Sequence, residues 1–121
     1  MRIGGLADAE TIAGLAVEVF LDTDASGGVR PDLANEAFTE YSTSRCAERL
    51  SAAGRTFVLA ERGSGLLGFA EVLHKPAPAP VPGRVGLELV RLYVQPQAQG
   101  AGAGRALIEQ AERLAKKAGA P

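Results

Sequence analysis

The fold class that this sequence predicts is α/β (α+β) with a mainly antiparallel sheet, and three observations carry that prediction. Leu87 to Ala118 reads as strand, short loop, glycine-rich turn and helix: LELVRLYV, then QPQAQGAGAG, then RALIEQAERLAKKA. Thr56–Glu61 and Leu66–His74 are apolar runs joined by Gly63-Ser64-Gly65, the pattern of a hairpin and therefore of antiparallel pairing. The first half of the chain carries apolar residues at helical spacing.

Taken in order, Arg2 and Ile3 are too few to specify a strand by themselves. Asp8 reads as an N-cap, Glu10 lies in the first turn, and Ile12, Leu15, Ala16 and Val19 share one face, predicting a helix from Ala9 to Phe20. Leu21 to Arg30 is polar, contains Gly27-Gly28 and reads as a loop. Pro31 or Asp32 starts a second helix, with Leu33, Ala34, Ala37, Phe38 and Tyr41 on one side. Ser42-Thr43-Ser44 interrupts it and caps a further turn or two carrying Cys46, Ala47 and Leu50, which Gly54 ends.

In the hairpin that follows, Gly68 inside the second strand marks a bulge or a close backbone approach. Lys75 to Gly83 alternates proline with small residues, which suits a stiffened loop between antiparallel strands. In the strand Arg84–Val94, uninterrupted alternation puts Glu88, Val90, Leu92 and Val94 on one face and Leu87, Leu89, Arg91 and Tyr93 on the other. Each face is apolar with one charge, as in a strand covered on both sides. The last helix buries Ala103, Ala106, Leu107, Ala111, Leu114, Ala115 and Ala118, and it ends with Lys116 and Lys117 in the last turn and Gly119 just beyond.

The chain of 121 residues is the size of one domain, residues 1–121, and 46% hydrophobic with 22% charged residues is the composition of a globular protein. A net charge of −1 gives no basic footprint for nucleic acid. No run is long enough to span a membrane, and the N-terminus lacks a signal peptide's apolar core. A lone cysteine, Cys46, forms no internal disulfide, and a cytoplasmic location is the expectation. His74 is the single histidine and has no companions for a metal site, so no metal is expected.

Gly100, Gly102 and Gly104 fall at alternate positions where the last helix begins, so backbone N–H groups converge there on an anion. A phosphate loop of the Gly-Lys-Ser/Thr kind fails because Arg105 and Ala106 follow Gly104, and a dinucleotide fingerprint started at Gly100 needs a glycine where Arg105 stands. The pattern Q/R-x-x-G-x-G/A is met by Gln99, Gly102 and Gly104, after a strand ending in Val-x-Pro (Val94, Pro96). This resembles motif A of the GNAT superfamily of acyl-CoA-dependent N-acetyltransferases.

The resemblance implies an acyl-CoA N-acyltransferase fold, with a mixed, mainly antiparallel sheet flanked by helices. It implies acetyl-CoA as co-substrate and transfer of its acetyl group to a primary amine of a small molecule or peptide, by direct attack in a ternary complex. By the same resemblance, Leu92, Tyr93 and Val94 present backbone groups to the pantetheine and the thioester carbonyl. Gln99, Gly100, Ala101, Gly102, Ala103, Gly104 and Arg105 hold the pyrophosphate. Glu88 is the candidate general base, and the competing reading of the same residue is an ion pair with Arg91, Arg84 or Arg55. Tyr41 and Tyr93 are packing residues or donors to the leaving thiolate. Asp22, Asp24 and Glu36 are solvated charges or attract a cationic amine.

The chain ends at Pro121, right after the motif A helix, where the family continues with a further strand, helix and hairpin. The expectation is a C-terminally truncated domain with one open edge on the strand Leu87–Val94, completed by a homodimer mate or another partner chain. The alternative function is a non-catalytic acyl-CoA-binding module, or a half-domain that acts through association with another chain.

Overall fold

The computed structural model of the chain describes residues 1–76, 85–100 and 102–119, with side chains described at all of these except 75, 76, 85–87 and 115–119. Four strands, β1 (Arg2–Ile3), β2 (Arg55–Arg62), β3 (Gly65–Pro76) and β4 (Val85–Val94), form one sheet in the order β1-β2-β3-β4. Every pairing among the described residues is antiparallel, in keeping with the mixed, mainly antiparallel sheet that the resemblance implies. Among the described residues β4 stands at the edge of this sheet, open along one side. The expected proline loop lies, from residue 77 to its end, outside the described residues, as does Arg84.

Four helices complete the layers: α1 (Ala9–Asp24), α2 (Pro31–Glu40), α3 (Thr43–Ser51) and α4 (Ala103–Gly119). α1 runs past the expected end at Phe20 because half-buried Leu21 continues its apolar face and its carbonyl accepts the Ala25 N–H at 2.9 Å. Asp8 does not cap α1 with its side chain. Its carboxylate turns back across the short 3-10 turn Leu6–Asp8 to accept from Gly5 N–H at 2.8 Å and from Arg2 at 2.6 and 2.9 Å. The Arg2 guanidinium first, and the Gly5 N–H second, hold the Asp8 carboxyl down at about 2. Ser42 does cap α3, accepting the Arg45 N–H at 3.2 Å. Phe38, expected on the inner side of α2, is 64% exposed, because α2 packs through its small Ala37 and the Tyr41 that follows it. α4 includes Gly119 instead of stopping before it.

The two faces of the sheet carry separate cores. Ile12, Leu15 and Val19 of α1, Cys46 of α3 and Tyr41 pack on Phe57, Leu59 and Phe69. On the other face Leu107 of α4 packs with Val58, Ala60 and Ala70, flanked by Leu92 and Val94. Gly68 is required where α4 meets the sheet: a Cβ there would stand 2.8 Å from the Tyr93 carbonyl oxygen and 3.2 Å from Leu107. A register shift sits beside it, since Ala60 faces Gly68 while Glu61 faces Leu66, leaving Leu67 as the extra residue. Both halves of the sequence expectation at Gly68, bulge and close approach, are therefore realised next to each other.

A second register shift decides the site. Glu71 faces Arg91 and Val72 faces Leu89, so Val90 is an extra residue on β4. Paired residues of antiparallel strands share a face, and one extra residue inverts the alternation beyond it. Glu88, opposite Leu73, is thereby moved to the face of Arg91 and Tyr93, and Leu89 joins Leu92 and Val94. The expected grouping of Glu88 with Leu92 and Val94 is corrected by this bulge.

Candidate active site

The glycine turn leads from the end of β4 into α4. A 3-10 turn over Pro96–Ala98 carries the chain away from the strand, and buried Ala98 anchors it. Gly100 and Gly102 both have positive φ, +86° and +87°, a backbone conformation that side chains with a Cβ rarely adopt. The Gly102 carbonyl accepts the Ala106 N–H at 3.0 Å and so begins α4. Helix geometry then leaves the N–H groups of Ala103, Gly104 and Arg105 without intrahelical acceptors, at the positive end of the helix dipole. Gly104 lies against β4, where an added Cβ would meet Val94 at 3.7 Å and Leu92 at 3.8 Å. Ala101 lies outside the described residues.

Gln99 has a different position from the other expected phosphate-binding residues. Its N–H is directed to the Pro96 carbonyl at 3.3 Å, and its side-chain amide donates to the Val94 carbonyl at 3.0 Å. It therefore ties the turn to the strand end.

That bond also orients β4. The Val94 carbonyl points to the open edge, toward Gln99, whereas the Gln95 N–H points to β3 and bonds the Leu67 carbonyl at 2.7 Å. Strand alternation then turns the backbone groups of Leu92 and Val94 toward the open edge and those of Tyr93 toward β3. Of the three expected pantetheine contacts, Leu92 has its backbone groups and Val94 its N–H turned to that edge, the Val94 carbonyl being bonded to Gln99. The Tyr93 hydroxyl is bonded to that of Tyr41, and burial first, with this bond second, raises the Tyr93 pKa.

Glu88 is exposed, not buried as a strand covered on both faces would require. Two of the arginines weighed as its partners are held by a residue that sequence reasoning passed over. Glu71, 1% exposed, accepts from Arg91 at 2.8 Å and from Arg55 on its other side. Arg91 continues to Glu40 at 3.2 Å, and Glu40 also takes Arg49 at 2.5 Å and Arg45 at 3.2 Å. Burial lowers the Arg91 pKa, but its bonds to Glu71 and Tyr41 outweigh this and leave it raised. Arg49 and Arg91 each stand 5.7 Å from the centre of the Tyr41 ring. The network thus runs from β2 and β3 across β4 to α2 and α3, on the face that carries Glu88. The available signal for Glu71 was a carboxylate in the apolar run LLGFAEVLH, on the same strand face as Phe69.

The remaining single residues are structural. Burial raises the Cys46 thiol pKa, and His74 Nε2 lies 3.1 Å from the Thr56 hydroxyl. Asp22, Asp24 and Glu36 are exposed. Among the described residues no group of three or more His, Cys, Asp or Glu side chains is arranged to hold a metal, and no helix is long and apolar enough to cross a membrane.

The sequence matches the profile described as the acetyltransferase (GNAT) family over residues 20–121. Comparison with curated proteins gives no sequence match. Among solved structures, a PaiA N-acetyltransferase from Thermoplasma acidophilum in complex with coenzyme A is 25% identical, with a TM-score of 0.74 over 97% of this chain and 74% of that one. A ribosomal-protein-alanine N-acetyltransferase from Brucella melitensis biovar Abortus 2308 is 21% identical, with a TM-score of 0.69 over 96% of this chain and 70% of that one. An aminoglycoside acetyltransferase from an uncultured soil metagenomic sample is 15% identical, with a TM-score of 0.70 over 98% of this chain and 72% of that one. The same fold serves acceptors as unlike as a protein and an aminoglycoside, so acceptor choice has to be argued from side chains.

Proposed function

Because this chain belongs to the acetyltransferase (GNAT) family, we propose that it transfers the acetyl group of acetyl-CoA to a primary amine of a small molecule or peptide, by direct attack in a ternary complex. The observation that carries the reading is the junction of β4 and α4: two glycines with positive φ, followed by unpaired helix N–H groups, beside a strand edge with outward backbone groups. The coenzyme A complex of the Thermoplasma relative supports the choice of co-substrate.

In this reading Gly100 to Arg105 hold the pyrophosphate by backbone N–H groups and the α4 dipole. Leu92 and Val94 align the pantetheine along the open edge, where their backbone groups polarise the thioester carbonyl. The amine nitrogen attacks the carbonyl carbon, the carbon–sulfur bond breaks, and the leaving thiolate takes a proton from water, so the products are the acetylated amine and the coenzyme A thiol. Glu88 takes the proton that the nitrogen must lose, since its face also carries Arg91 and the Tyr41–Tyr93 pair. Glu88 lies at the exposed end of that face.

The test pairs calorimetry with kinetics. Glu88→Gln binds acetyl-CoA as the parent does but loses about 100-fold in turnover, the scale of a general base. Unchanged turnover removes Glu88 from the mechanism, and no acetyl-CoA binding by the folded parent overturns the transferase reading.

A second reading is favoured by one observation. Leu89 and Val90, on the edge strand, are 45% and 36% exposed. An apolar open edge pairs readily, and we propose that a second copy of the chain covers it.

A further inference from the structure

The α2–α3 junction holds a surface cleft of about 570 Å³, lined by Thr39, Ser42, Ser44, Arg45, Glu48 and Arg49. We propose that this cleft binds the carboxylate of the amine acceptor, so that the acceptor class is amines that also bear a carboxylate, such as amino acids. The inference rests on the transferase reading for its reaction, but the cleft and its charge do not.

The charge balance comes first. Among the residues that line the cleft, Arg45 and Arg49 stand against Glu48, a surplus of one positive charge. A surplus of one matches a single carboxylate better than a phosphate dianion. It also disfavours polyamines, which would bring further positive charge.

The donor geometry comes second. Arg45 and Arg49 each give one terminal nitrogen to Glu40, which leaves most N–H donors of each guanidinium for another acceptor. Glu40 and the Tyr41 ring hold Arg49 in place, with its side chain 15% exposed, so the donor is ordered before a ligand arrives. The hydroxyls of Ser42 and Ser44, 3.5 Å apart, add further donors in the same lining.

The link to the reacting centre comes third. Glu40 bonds Arg91 as well as Arg45 and Arg49, and Arg91 shares the β4 face with Glu88. The cleft therefore lies on the side of the sheet that carries Glu88. Arg45, whose side chain is 50% exposed, is the residue to change, because Glu40 keeps Arg49 and Arg91 without it.

Two measurements on the intact chain test this. In the first, backbone amide NMR follows a titration with sodium acetate against sodium chloride of equal ionic strength. Saturable shifts at residues 42–49 that disappear in Arg45→Ala are expected, and shifts that do not saturate, or that the chloride reproduces, overturn the site. In the second, glycine and glycinamide are compared as acceptors. A KM about tenfold lower for glycine than for glycinamide, the scale of one charge-assisted bond, is expected in the parent, and in Arg45→Ala the glycine KM rises to parity with kcat within about twofold. Equal KM values in the parent overturn the acceptor class while leaving the transferase reading intact. Acetate saturation without acetyl-CoA binding has the opposite meaning, since the cleft stands and the transferase reading falls.

Discussion

Glu71 is the residue on which most of the site's order depends. It is buried, and a buried carboxylate is costly unless paired, so its bonds to Arg55 and Arg91 are a condition of the fold more than an added stabilisation. Both arginines are themselves about one-fifth to one-quarter exposed, which moderates the loss when the carboxylate is removed. Glu71→Gln leaves two guanidiniums facing a neutral amide, and we expect it to cost about 3 kcal/mol. Urea unfolding with an unchanged slope and a lowered midpoint is the check, and a midpoint equal to the parent's would show that the pair contributes nothing net. Cys46 is the contrasting case: its thiol is buried, its pKa is raised, and no neighbouring base equips it as a nucleophile among the described residues.

At the scale of elements, two bulges in adjacent strands shape the site. Leu67 on β3 lets Gly68 meet the Tyr93 carbonyl, and Val90 on β4 inverts the face of Glu88. The close contact at Gly68 sets how near α4 lies to the sheet, and so how near the glycine turn lies to the end of β4. Gly68→Ala places a methyl group 2.8 Å from a backbone oxygen that cannot move aside without loosening the β3–β4 ladder. We expect a loss of about 1–3 kcal/mol, the usual scale of overpacking, together with weaker acetyl-CoA binding. A thermal melt and an acetyl-CoA titration of the same variant check both parts, and a variant as stable as the parent would mean that the helix is free to shift.

At the scale of the whole molecule, helices cover both faces of the sheet while one side of β4 stays open among the described residues. The chain spans about three-quarters of the length of the Thermoplasma relative. If a second copy covers that edge, light scattering gives the mass of two chains, and Val90→Lys, which puts a charge on the exposed edge, shifts the protein to one. A parent protein of single-chain mass overturns the self-association reading.

Local chemistry is what the sequence determined by itself. Helical spacing, the Ser42 cap, the Gly63-Ser64 turn and the glycines at 100 and 102 act within a few residues of chain, so α1 to α4, the hairpin and the candidate phosphate-binding turn were all legible. The family profile over residues 20–121 agrees with that reading. Only the tertiary structure decided which face each β4 residue occupies and which charges meet. Those outcomes depend on pairing between residues distant in sequence: the extra residue at Val90 is defined only against Glu71 and Val72, and Glu40 meets Arg91 across 51 positions of chain. Periodicity assumes an unbroken strand and carries no information about partners, so the inverted Glu88 and the Glu71–Arg91–Glu40 chain could emerge only when the strands and helices packed.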